Sequence, residues 1–184
     1  MKLQSLAPMA LVVAFLLASV GYSQTAPAPA AAVKIIRIKA GSNDPVKDSA
    51  GNIWEAESGF EGGDVVARDA DLAIGNTKTP EVYRTEHYRM TSFTRALPNG
   101  KYTVKLHFAE TYDEITDAGQ RVFTVDVNGT EIKDLDIVKE AGGAKKALVK
   151  VVPVTITNGK LSITFTPKAQ STSINGIEIV PAAD

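Results

Sequence analysis

Apolar and polar residues alternate at period two through most of the chain beyond residue 33, the pattern of strands with one buried face. Ile36, Ile38 and Ala40 share one face of a first strand, with Arg37 and Lys39 opposite. From Tyr102 onward the inward set is Tyr102, Val104, Leu106 and Phe108, while Thr103, Lys105 and His107 point outward, which predicts an exposed His107. Phe123, Val125 and Val127 repeat the pattern after Arg121. No segment carries an apolar stripe at helical period. Short turns or helices are expected only around Pro80 to Tyr83 and within Asp113 to Ala118.

Asn-Gly pairs punctuate these runs at Asn99-Gly100, Asn128-Gly129 and Asn158-Gly159. Both central residues of a type I′ turn need positive φ, which Asn and Gly tolerate best, so each pair predicts a tight hairpin. A turn at Asn158-Gly159 sets Ile156 opposite Leu161, Val154 opposite Ile163 and Val152 opposite Phe165, with every side chain on one face. The pair at Asn128-Gly129 sets Val125 opposite Ile132. Around Asn99-Gly100, Arg95 and Pro98 intrude and lengthen the loop. Many short strands divided by such turns predict an all-β sandwich of two antiparallel sheets.

The first residues change the picture of organisation rather than of fold. Lys2 followed by the apolar run Leu6 to Ala18 reads as a signal peptide over 1–23, with Gly21 and Ser23 at the cleavage-site positions. The run falls short of the roughly 20 residues of a membrane span, and an uncleaved anchor is the alternative. A Pro/Ala tract, Thr25 to Ala32, makes 24–32 a linker, and 33–184 is left as one domain. A domain of this size buries about 70% of its unfolded surface and needs no covalent staple. The chain has no cysteine, which suits a bacterial envelope or extracellular setting and excludes a cysteine-linked lipid anchor. Lys and Arg number 20 against 21 Asp and Glu, without a basic run, which argues against nucleic acid or an anionic membrane as partner.

Candidate chemistry concentrates between Val82 and Gly129. The loop Thr111 to Gln120 offers Tyr112, Asp113, Glu114 and Asp117 together, and the segment Thr85-Glu86-His87-Tyr88 offers a carboxylate and a phenol. Amphipathic aromatic faces and carboxylates on loops are what recognition of a sugar ring requires. Glu110 and Arg121 stand at the two ends of that loop on inward faces, and a mutual structural ion pair is the simplest reading, since either charge buried alone is expensive. The two histidines lie on separate strands, with no nucleophile motif or metal spacing around them, so no enzyme is expected. No cofactor is indicated. Calcium at Asp113, Glu114 and Asp117 has only an acidic loop in its favour.

The order T-E-H-Y, N-G-K-Y-T-V, F-A-E-T-Y and R-V-F-T-V-D-V-N-G resembles the malectin and malectin-like domains over Ile36 to Val180. That resemblance implies a jelly-roll β-sandwich of the galactose-binding type and a non-catalytic, exported carbohydrate-binding module. It implies sugar-contacting aromatics at Tyr88 and Tyr112, a core anchor at Trp54 and His87 in place of a usual arginine. Asp113 stands where the family carries a second aromatic, Leu72 where it carries an early one, and Gln170 near a sugar-binding aspartate. Glu86, Asp113 or Gln170 would then receive sugar hydroxyls. Plant malectin-like receptor kinases set a second expectation, a protein- or peptide-binding or structural envelope module, which the missing aromatics favour. Secretion or periplasmic export is the expected localisation.

Overall fold

The computed structural model describes residues 34–182; the leader and linker expected over 1–32 lie outside them. Two antiparallel sheets form the body. The first runs in the order β1 (Ile36–Lys39), β14 (Gly176–Pro181), β8 (Gly100–Phe108), β11 (Leu148–Ile156). The second runs β10 (Thr130–Leu135), β9 (Val122–Val127), β12 (Lys160–Ala169), β7 (Ser92–Ala96), β4 (Phe60–Glu61). A smaller sheet orders β13 (Ser173–Ile174), β6 (Thr85–Tyr88) and β5 (Asp64–Ala67), and β2 (Val46–Lys47) pairs with β3 (Ile53–Trp54). The fold is therefore the all-β sandwich of antiparallel sheets that the alternation predicts, of the jelly-roll kind that the resemblance implies.

The inward faces meet in one core. Val104, Leu106, Phe108, Phe123, Val125, Val127, Leu161 and Ile163 are all fully buried there. Pro153 is accommodated because β11 is an edge strand, where a missing N–H leaves no ladder bond unmade. On the outer face of the first sheet, Trp54, Ile74, Val82, Tyr83, Ala109 and Ala147 make a second, smaller cluster, with Leu72 packed against it.

That second cluster corrects the expectation for His107. Its side chain does point away from the main core, but Trp54 meets the ring edge-on at 5.1 Å and the Tyr83 hydroxyl lies 3.0 Å from Nδ1. Desolvation by this cover lowers the His107 pKa to about 4. Trp54 itself is the anchor that the resemblance implies, its indole N–H donating to Asp48 at 2.9 Å.

Of the Asn-Gly pairs, Asn128-Gly129 makes the expected hairpin: both residues have positive φ, and Val125 pairs with Ile132. Asn158-Gly159 does not. β11 pairs with β8 in one sheet while β12 pairs with β7 and β9 in the other, so this turn crosses between the sheets. Val152, Val154, Ile156, Leu161, Ile163 and Phe165 are all buried, as the alternation requires, but they face one another across the sandwich rather than within a ladder. Asn99-Gly100 is a second crossing, and the two loops meet where Asn99 Oδ1 accepts from the Gly159 N–H at 2.8 Å.

Pro80–Tyr83 forms a turn of 3-10 helix and Asp113 to Ala118 is a series of turns, as anticipated. An α-helix the alternation did not announce, α1 (Ile137–Ala141), starts at Asp136, whose side chain accepts from the Lys139 N–H, and stops at left-handed Gly142.

Candidate functional site

The T-E-H-Y strand explains itself once its alternation is followed. Thr85 to Tyr88 forms β6, so Glu86 and Tyr88 point to one side and His87 to the other. On the His87 side, Phe60 stacks against the ring at 4.7 Å, the Gly62 carbonyl lies 2.7 Å from Nε2 and Glu57 lies 3.0 Å from Nδ1. Burial lowers the His87 pKa, but those two acceptors outweigh it and leave the value raised.

On the other side is a cavity of about 310 Å³, lined by Val66, Arg68, Glu86, Tyr88, Arg89, Tyr112, Arg121, Gln170 and Ser171. It lies at the end of the sandwich where β8 and β12 finish, about 25–30 Å from the crossings at Asn99 and Asn158. Three chain segments converge there, from 66–89, 110–121 and 170–171.

One buried and one half-buried ion pair hold these segments together. Glu110 Oε2 accepts from Arg121 Nε at 2.6 Å, and Arg121 Nη1 also donates to the Ser171 carbonyl and hydroxyl at 2.8 and 3.0 Å. Arg121 thus ties the two ends of the 111–120 loop to each other and to the 170–171 turn. Glu110 Oε1 accepts from the Tyr112 N–H at 3.0 Å, which fixes the start of that loop. Burial pushes the Glu110 carboxyl up against the opposing pull of Arg121. In the second pair, Glu86 Oε1 accepts from Arg68 Nη2 at 2.7 Å, and Oε2 accepts from Thr111 and Ser173 hydroxyls at 3.2 and 3.1 Å.

The expected sugar contacts divide accordingly. Tyr88, Tyr112, Glu86 and Gln170 all line the cavity. Glu86 lies at its floor, where Arg68, Thr111 and Ser173 donate to it, so it orders the wall rather than standing open to a ligand. Gln170 has left-handed φ, 58°, and its side chain accepts from the Ser171 N–H. Asp113 and Leu72 stay outside. Asp113 is exposed and pairs with Lys145 at 2.7 Å, and that partner holds its carboxyl below the usual range. Leu72 is half-buried against the Trp54 cluster.

Arg68, Arg89, Val66 and Ser171 are lining residues that sequence reasoning did not assign to the site. Arg89 follows the recognised Tyr88 directly, and its guanidinium sits over that ring at 5.3 Å, which was the available signal. Arg121 has both roles, structural pair and cavity wall. Among the described residues, no three His, Cys, Asp or Glu side chains are grouped to hold a metal ion, the Asp113–Asp117 loop included. No described helix is long and apolar enough to cross a membrane.

A sandwich that presents a polar, aromatic-flanked cavity on converging loops defines the class: a β-sandwich with a cavity on its rim loops. The malectin domain model matches residues 34–180, and the chain belongs to that family. Receptor-like protein 4 of Arabidopsis thaliana is 45% identical over 84 residues, 45% of this chain and 13% of that protein. Malectin-B of Xenopus laevis is 36% identical over 110 residues, 55% of this chain and 39% of that one. The chain thus spans well under half of the curated relatives it matches. Among solved structures, Bacteroides uniformis beta-glucuronidase superposes with a TM-score of 0.73 at 20% identity, over 82% of this chain and 18% of the enzyme. The ANX1 ectodomain of Arabidopsis thaliana superposes with a TM-score of 0.70 at 17% identity, over 81% and 48%. These likenesses concern the fold alone.

Proposed function

We propose that this protein is an exported, non-catalytic module that binds an oligosaccharide in the cavity between Tyr88 and Tyr112. The observation that carries the reading is the meeting of those two phenols, one from β6 and one from the 111–120 loop, around a floor of fixed polar groups. Aromatic faces cover the C–H surface of a pyranose while the polar groups orient its hydroxyls. Malectin-B, a relative by sequence, supports a sugar ligand through family membership. The lining carboxylate Glu86 and the neighbouring Glu110 are both bound to guanidinium groups, which leaves neither placed as a free acid or nucleophile. Relatives that are plant receptor proteins support an extracellular location.

A glycan array probed with the purified protein tests this reading, with Tyr112→Ala alongside. Binding to a defined set of oligosaccharides should appear, and the variant should lose about tenfold or more in affinity, the value of one stacking face of 1–2 kcal/mol. A blank array from a folded protein would remove the sugar reading. It would then favour the alternative of a protein- or peptide-binding module. ANX2, a plant receptor-like kinase, shares the fold.

A further inference from the structure

We infer that the ligand of this cavity is an acidic oligosaccharide, whose carboxylate is received by the guanidinium groups of Arg68, Arg89 and Arg121. The inference rests on the carbohydrate reading above and names the substrate class of the same site. It follows from an inventory of donors and acceptors around one cavity.

The acceptors are already engaged. Glu86 receives Arg68, Thr111 and Ser173, and Glu110 receives Arg121 and the Tyr112 backbone. The Gln170 side-chain oxygen receives the Ser171 N–H. The donors are not. Arg121 spends Nε and Nη1 on protein, and no acceptor among the described residues meets Nη2. Arg68 spends Nε on Thr111 and Nη2 on Glu86, leaving Nη1 without one. Arg89 meets only Asp64, at 3.5 Å, with both side chains more than half exposed at 64% and 58%. A contact that long and wet contributes almost nothing.

Three guanidinium groups and one carboxylate, Glu86, line the cavity, and even with Glu110 behind Arg121 counted the positive charge is in excess. A guanidinium matches a carboxylate with parallel N–H bonds, which a sugar hydroxyl cannot reproduce. Arg68 and Arg121 are held rigid by their ion pairs, so little freedom is lost when a ligand binds them. Arg89 is the adjustable member, at the rim in left-handed conformation with φ 60°. A neutral sugar would leave the spare donors to water. An acidic sugar uses them.

Titration calorimetry on the purified full chain tests this with matched ligands: a neutral glucose-based oligosaccharide, its counterpart with one C6 hydroxymethyl oxidised to carboxylate, and a counterpart with sulfate at that position. The carboxylate form is expected to bind about tenfold tighter than the neutral one, the value of one charge-assisted hydrogen bond. That advantage should shrink as salt is raised, and Arg89→Gln should cut the ratio severalfold while far-UV circular dichroism stays unchanged. Equal affinity for neutral and oxidised forms would overturn the acidic class and leave the sugar site standing. A preference for sulfate over carboxylate would overturn the choice of anion. No binding of any of the three by a folded protein would remove the carbohydrate reading and this inference with it.

Discussion

Arg121 is the residue on which most of the site depends. Its guanidinium is 5% exposed, its partner Glu110 is 1% exposed, and the pair joins three loop segments. Removing one partner strands the other charge in a low-dielectric site, so Glu110→Gln is expected to cost about 3–5 kcal/mol. Arg121→Met in the same background should recover part of it. Urea unfolding of the unaltered protein and the two variants measures this, and a single-variant loss below about 1 kcal/mol would deny the pair its structural weight. The pairing was legible from sequence because both residues break an apolar alternation at the two ends of one loop. That Arg121 also faces the cavity was not, since a period of two gives a face but not what lies beyond the strand end.

The chain's two histidines are a second residue-scale test, as their surroundings push them in opposite directions. His107, lowered from 6.5 to about 4, favours the neutral ring in the folded state. Its contribution to stability is full above the unfolded value and is lost as pH falls from 6.5 toward 4, by about 3 kcal/mol over the window. His87 is raised, so its contribution is full below the unfolded value and lost as pH climbs through the folded one. NMR titration of the imidazole C–H signals should show one ring still neutral at pH 5 and the other protonated above 6.5. Two unshifted curves would contradict both descriptions.

At the scale of elements, the 111–120 loop is held from outside as well as by Arg121. Asp136 caps α1 with Oδ1 and, with Oδ2, accepts from the Gly119 N–H at 2.6 Å. Asp136→Ala should therefore lower stability by about 1 kcal/mol and also weaken ligand binding, because Tyr112 sits on the loop that loses its tether. Thermal unfolding and calorimetry together decide it: a loss of stability with unchanged affinity would mean the cap matters and the tether does not. This helix was invisible in the alternation because Ile137–Ala141 is too short to show a stripe. The Asn158-Gly159 turn shows the complementary limit. Inward-facing residues look the same whether two strands pair in one sheet or face each other across a core. Asn128-Gly129, by contrast, pairs as read, since β9 and β10 do lie in one sheet.

For the whole molecule, the sandwich was legible almost throughout, because burial of one face imposes period two on every long strand. The location of the cavity was legible through Tyr88 and Tyr112, on β6 and just beyond β8. Its charge was not. Arg68 and Arg89 acquire their roles only when β5, β6 and the 111–120 loop come together, a tertiary fact that spacing along the chain does not carry. The same assembly separates Leu72 and Asp113 from the cavity although they flank it in sequence. The central claim is thus a claim of place: a ligand bound where β8 and β12 end. Backbone amide shift mapping during titration with an array-selected oligosaccharide tests it most directly. The account predicts perturbations confined to residues near Arg68, Tyr88, Tyr112, Arg121 and Ser171, with the Asn99 and Asn158 crossings silent. Perturbations centred on those crossings, or on the outer face around Trp54, would contradict it.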